Sequence, residues 1–226
     1  MGGHDQDRVW AAPVSAPSFA VQLRIADRRC LVVGAGPVAA RKISALRASG
    51  AIITVVAPTA IAQIADADDL RWHERAYVRG EAASYRLVIT ATDDPEVNAQ
   101  VFRDAEAAGV FVNSADDPDN CSFTLPAVAR RGPVQVAVAT DGHSPAVARW
   151  LRQRIESRLE AELVSLVELA VEIRAELRAA LGTAEVPGWD QALDAALIHL
   201  QAGDRGHARD ALRRGVGLEL LDEVAS

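Results

Sequence analysis

Three stretches of the chain combine residue types and spacings that could do chemistry. The first is Gly34-Ala35-Gly36-Pro37-Val38-Ala39, a GxGxxA that follows the apolar run "CLVV". In such a turn the first glycine permits the tight bend off a strand, the second lets backbone approach a pyrophosphate, and the small last residue lets a helix pack on the strand. The N-terminus of that helix adds positive potential for the phosphates. The second stretch is "TATDD" at 90–94, directly after "YRLVI", and the third is "NSADDPDN" at 113–120, where carboxylates crowd behind an asparagine. Carboxylates at the carboxyl edge of a sheet are suited to moving protons beside a bound ligand.

These residues need a scaffold to position them, and the hydrophobic pattern supplies one. "SFAVQLRI" and "RRCLVVGAG" read as two short strands, the second delivering the chain to the glycine turn. "PVAARKISALRASG" has apolar positions at helical spacing between Pro37 and Gly50, and "AIITVVAP" is an apolar strand, which completes a β-α-β unit. "YRLVITATDD", "PEVNAQVFRDAEAAG" and "VFVNSADD" repeat the rhythm of strand, helix and strand. Fully apolar strands alternating with helices predict a parallel sheet covered on both faces. No repeat of 20 to 50 residues interrupts this reading.

After residue 116 the rhythm changes. "SFTLPAVA" and "VQVAVAT" are two β-like runs joined by "RRGP". Ser144 and Pro145 then open a helix as N-cap and first residue, with Val147, Leu151, Ile155, Leu159 and Leu163 every four residues and a break expected near 160–165. A helical tail closes the chain.

Within this scaffold Gly34, Gly36, Pro37 and Val38 are the expected dinucleotide contacts. The acidic residue that ordinarily takes the ribose hydroxyls after the second strand is replaced by Pro58 and Thr59. The Thr59 hydroxyl can still meet the ribose, and no arginine stands beside it for a 2′-phosphate, so NAD is the expected cofactor. Thr90, Ala91 and Thr92 are expected to line its nicotinamide side. Asp94, ahead of Pro95, reads as a helix N-cap.

Composition narrows the class. The chain has 226 residues, enough for one sizeable core and a smaller appendage. No apolar run reaches the roughly 18 residues of a membrane span. The polar, then Pro/Ala/Ser-rich first 17 residues read as a disordered lead-in rather than a signal peptide, which makes the cytoplasm the expected compartment. The net charge of −7 argues against a nucleic-acid groove, and the acidity is concentrated in the tail: residues 1–150 carry 15 basic and 17 acidic groups, residues 151–226 carry 9 and 14. Cys30 and Cys121 form neither a disulfide framework nor a metal-ligand spacing, and Cys30 reads as core.

Together, "CLVVGAGPVAARK", "VITATDDPEVN", "NSADDPDNCSFTLPA" and "TDGHSPAVARWLR" resemble the precorrin-2 dehydrogenase / sirohydrochlorin ferrochelatase family, the module at the front of sirohaem synthases, over roughly residues 18–160. The resemblance implies an α/β protein: a Rossmann-type parallel sheet with a small dimerisation region and a helical C-terminal domain, working as a homodimer. The expected divisions are 1–17 lead-in, 18–115 NAD-binding domain, 116–150 dimerisation and active-site region, and 151–226 helical domain. The methyltransferase domain of fused members is expected to be absent.

The implied activity is NAD-dependent oxidation of precorrin-2 to sirohydrochlorin, with insertion of ferrous iron as a second activity in some members. Iron would then be a substrate, and no resident metal site is expected. The family's key aspartate falls on Asp116, apt because hydride removal must be accompanied by proton loss. Asp117 and Asp119 are its neighbouring competitors. Asn113, Thr140, Ser144 and Arg149 are implied at the substrate, Thr140 in place of a family serine, while Ser144 also reads as an N-cap. Arg130, Arg131 and Arg152 are further candidates for the substrate's carboxylates, and His143 departs from the family pattern. Two other readings remain: an NAD-sensing regulatory module without catalysis, and a relative that only chelates. Neither nucleic acid nor membrane is an expected partner.

Overall fold

The computed structural model describes residues 18–115 and 117–220. The chain divides into two compact units, Ser18–Leu125 and the part from Pro126 onward.

The first unit is built on a five-stranded parallel sheet in the order β3-β2-β1-β4-β5. Its strands are β1 (Arg29–Val33), β2 (Ile52–Ala57), β3 (Arg71–Glu74), β4 (Leu87–Thr90) and β5 (Phe111–Ser114). Helices α1 (Pro37–Ala48), the single turn α2 (Ala62–Ala65) and α3 (Pro95–Ala107) connect them. Alternate residues of each strand face opposite layers. Cys30, Val32, Ile53, Val55 and Ile89 pack with Ile43 and Leu46 of α1, whereas Leu31, Val33, Val56, Val88 and Val112 pack with Val101 and Ala105 of α3. Both faces of β1 and β4 are therefore dry, which is why those strands read as continuous apolar runs rather than alternating ones. Cys30 is fully buried in the first of these layers, and burial pushes its thiol up to about 11.

The sheet differs from the sequence expectation at both ends of its pattern. "SFAVQLRI" is no strand: Phe19, Val21 and Leu23 are exposed, only Ile25 is buried, and the chain turns at Asp27, whose φ is +58°. The run has β-type alternation but finds no partner strand, since β3 and β5 form the edges. Conversely β3, "RWHE", carries no apolar pattern and forms because its backbone pairs with β2 while Trp72 Nε1 donates to the Ala57 carbonyl at 3.1 Å.

The second unit opens with an antiparallel hairpin, β6 (Ala127–Arg131) and β7 (Val134–Val138), turning at Gly132 as "RRGP" predicts. Helix α4 (Pro145–Glu156) packs on that hairpin, and α5 (Glu162–Leu181), α6 (Trp189–Gln201) and α7 (Arg205–Gly215) form a small bundle around Leu169, Ile173, Ala196 and Leu212. The expected break falls at 157–161, between α4 and α5. A charge ladder joins α5 to α7: Arg205 bridges Glu168 and Glu172, and Arg209 and Arg213 converge on Glu176. Among the described residues no helix is long and apolar enough to cross a membrane.

Candidate functional site

A parallel sheet collects ligands at the carboxyl ends of its strands, at the point where the strand order reverses. Here that point lies between β1 and β4, and a cavity of about 750 Å³ opens there. Gly34, Gly36, Pro37, Val38, Pro58, Thr59, Ala91 and Thr92 all line it.

Gly34 and Gly36 serve different ends. Gly34 has φ +104°, and a Cβ there would stand 2.3 Å from the Ala91 carbonyl oxygen, so the close approach of the β1 turn to the β4 end requires glycine. Gly36 has φ −90°, open to any residue, and a Cβ there would meet nothing within 4 Å. Its missing side chain leaves space in the cavity rather than in the fold. Gly36 is also the N-cap of α1 without a side-chain cap, and Pro37 has no N–H, so the first-turn amides of α1 are left for a ligand. An open glycine beside an uncapped helix start fits a pyrophosphate.

Around that centre the structure fixes the remaining walls. Ile61 N–H donates to Ala35 O at 3.1 Å, which ties the loop of Pro58 and Thr59 to the glycine turn. Asp94 caps α3 by accepting from the Glu96 and Val97 amides, and the Thr92 hydroxyl donates to Asn98 Oδ1 at 2.8 Å, so "TATDD" is spent largely on starting that helix. Thr90 does not line the cavity: its side chain is fully buried and its hydroxyl pairs with Ser114 Oγ at 2.9 Å. Tyr77, which also lines the cavity, is held through its hydroxyl, which donates to Asp104 at 2.9 Å. Burial opposes the charge of Asp104, but hydrogen bonds from Gly80 N–H, Tyr77 and Gln100, with Arg79 nearby, hold its carboxyl below the usual range.

Asp116 lies outside the described residues, but both of its neighbours are described. Ala115 lines the cavity and takes its position from an N–H bond to Thr90 O at 2.8 Å. Asp117 accepts from Asn120 Nδ2 at 2.6 Å at the start of a short 3₁₀ turn, Pro118–Asn120. Cys121 links the two sides of residue 116. Its sulfur accepts from Ser114 N–H at 3.1 Å and lies 3.3 Å from both the Ser114 and Asp117 carbonyls. Burial chiefly pushes its thiol up, with Asp117 adding to the effect, so it acts as a neutral staple. Sequence reasoning assigned Cys121 no role, because a lone thiol in a turn has no motif; only the fold brings it against Ser114 and Asp117.

Asn113 belongs to a second concavity of the same unit, with Arg41 and Lys42. Thr140, Ser144 and Arg149 belong to the other unit. There the Thr140 hydroxyl accepts from Ser144 N–H at 3.1 Å, Ser144 Oγ accepts from Val147 N–H as the N-cap of α4, and Arg149 is exposed. His143 Nδ1 lies 2.9 Å from Thr140 O. Among the described residues no group of three His, Cys, Asp or Glu side chains could hold a metal ion.

Comparison with known proteins bears on the same segments. Residues 21–127 match a family described as putative NAD(P)-binding, and residues 131–158 match one described as sirohaem biosynthesis protein central. The siroheme synthase of Methylococcus capsulatus is 44% identical over 138 residues, which is 60% of this chain and 29% of that protein. That of Nitrosococcus oceani is 45% identical over 138 residues, 60% of this chain and 30% of that protein. Over those residues the chain is similar to siroheme synthases. It spans under a third of the length of these relatives. A solved structure described as "SirC, precorrin-2 dehydrogenase" covers 91% of this chain and 100% of its own with a TM-score of 0.63; at 23% identity the likeness is one of fold. The GxGxxA cavity lies within the residues matched to the putative NAD(P)-binding family, which supports a nicotinamide dinucleotide there.

Proposed function

We propose that the protein is a precorrin-2 dehydrogenase that forms sirohydrochlorin with NAD. The observation that carries this reading is the co-location of two things in one stretch of chain: a dinucleotide cavity built on GxGxxA, and 44% identity to a siroheme synthase over 138 residues. The overall reaction balances as precorrin-2 plus NAD⁺ giving sirohydrochlorin, NADH and a proton.

The bound nicotinamide supplies the hydride acceptor. The protein's part is to hold both partners and to manage the proton. Gly36 and the first turn of α1 hold the pyrophosphate, and Pro58 and Thr59 meet the adenosine ribose. Asp116 takes the proton; of its described neighbours, Ala115 is held by the Thr90 carbonyl and Asp117 by Cys121. The preference for NAD over NADP is supported by the cavity wall, whose described lining residues include no lysine or arginine to meet a 2′-phosphate.

Asn113, Thr140, Ser144 and Arg149 are proposed to face the substrate, with Thr140 and Ser144 shaping the start of α4 as well. The protein is proposed to work as a homodimer in the cytoplasm, with residues 114–150 contributing much of the contact; a monomer mass by light scattering would contradict the dimer. Ferrous iron insertion is to be assayed on the same samples. The test of the reading is anaerobic incubation with precorrin-2 and NAD, NADP or neither. Sirohydrochlorin should form fastest with NAD.

A further inference from the structure

A second cavity adjoins the first. It holds about 440 Å³, and its lining includes Arg41, Lys42, Asn113 and Ser114. Val38 and Ala115 belong to the walls of both cavities. Helix geometry accounts for the pairing, because Arg41 and Lys42 stand three and four residues beyond Val38 and so lie on the same side of α1 one turn later. Two neighbouring cations therefore face a concave surface in a chain whose net charge is −7, and Lys42 is its sole lysine. Arg41 is exposed and makes no hydrogen bond or ion pair among the described residues.

Asn113 adds an independent sign of a ligand. Its side chain is nine-tenths buried, and Nδ2 donates to Phe123 O at 3.0 Å. That bond fixes the amide, since the flipped orientation would set oxygen against oxygen. Oδ1 is then buried with no hydrogen-bond partner. Buried acceptors without a donor are rare, and this one belongs to a residue that lines the cavity beside two cations, which marks a place for a group that brings its own N–H or O–H.

We infer that this second cavity seats the anionic edge of a polycarboxylate substrate, with Arg41 and Lys42 taking its carboxylates and Asn113 Oδ1 accepting from an N–H of the same ligand. For the tetrapyrrole proposed above, on which this assignment rests, that edge is a pyrrole ring with its acid side chains. The shared walls at Val38 and Ala115 turn the inner side of a ligand so seated toward the dinucleotide cavity.

The test uses Arg41→Gln, Lys42→Gln and the double variant of the full chain. Losing one charge-assisted contact should raise the KM for precorrin-2 about tenfold, and losing both about a hundredfold, with kcat and NAD affinity near wild type. The salt dependence of kcat/KM should flatten, and Arg41→Lys and Lys42→Arg should retain most of the affinity. In parallel, quenching of tryptophan fluorescence by uroporphyrin, an octacarboxylate tetrapyrrole, and by its octamethyl ester reads binding without turnover. Wild type should bind the acid and not the ester, and the double variant should bind neither. If precorrin-2 is not oxidised by wild type but the acid binds with the same dependence on Arg41 and Lys42, the reaction is wrong and the subsite stands. If wild type is active and the double variant keeps its KM and its binding of the acid, the subsite is wrong and the reaction stands. A loss of NAD affinity matching the rise in KM would assign the two cations to the dinucleotide instead and overturn the inference.

Discussion

Replacing Gly36 with aspartate should separate folding from cofactor binding. The backbone there, at φ −90° and ψ −171°, accepts any residue, and a Cβ would meet nothing within 4 Å. Aspartate is moreover a better N-cap than glycine by a few tenths of a kcal/mol, so the melting temperature should hold or rise by about 1 °C. The cofactor suffers the opposite effect. A carboxylate held about 5 Å from one phosphate charge costs about 3 kcal/mol at an effective dielectric of 20. Halving that for screening and counting both phosphates leaves about 3 kcal/mol, roughly a hundredfold loss of NAD affinity. Calorimetric titration of NAD beside a thermal melt checks both halves. A folded Gly36→Asp variant that binds NAD as tightly as wild type would refute the placement of the pyrophosphate, and a variant that fails to fold would refute the open space at Gly36.

Gly34→Ala should behave in the reverse way, because its Cβ would sit 2.3 Å from the Ala91 oxygen at φ +104°; strain and crowding of about 2–4 kcal/mol should lower the melting temperature by about 5–15 °C in a thermal scan. Asp116→Asn should slow dehydrogenation by at least about a hundredfold while NAD still binds, whereas Asp117→Asn, whose parent carboxylate is engaged by Asn120, should leave the rate within a few-fold; single-turnover assays of both variants decide between them. Asp104→Asn should loosen the Tyr77 wall and cost about 1 kcal/mol near neutral pH. Because the folded-state pKa of Asp104 is depressed, its contribution is present above the ordinary carboxylate value and is lost as pH falls through the folded value. The stability gap between wild type and variant should therefore narrow as pH falls below the ordinary carboxylate value of about 4 in denaturant titrations.

Much of the first unit was legible in the sequence because its central strands are buried on both faces. Continuous runs such as "CLVV" and "IITVV" announce themselves, and a glycine pair between strand and helix is a local signature. What was not legible depends on distant partners. β3 is polar and exists through its pairing with β2, while "SFAVQLRI" has the pattern of a strand but no ladder to join. The same distinction holds in the site. Gly34, Gly36 and the loop of Pro58 and Thr59 followed from adjacency to strand ends, but Thr90 turns inward to Ser114 because alternate residues of a strand face opposite sides. Cys121 and the orphaned oxygen of Asn113 emerge only when residues eight positions apart, at 113 and 121, fold against one another.

The central claim is that the dinucleotide cavity serves oxidation of a tetrapyrrole. It is tested most directly by anaerobic single-turnover mixing of the protein with precorrin-2 and NAD, following NADH and sirohydrochlorin in the same cuvette. The account predicts that the two rise together in a one-to-one ratio, that both vanish without NAD, and that both fall in the Gly36→Asp variant. Sirohydrochlorin that forms equally fast without NAD, or NAD binding with no change in precorrin-2, would contradict it.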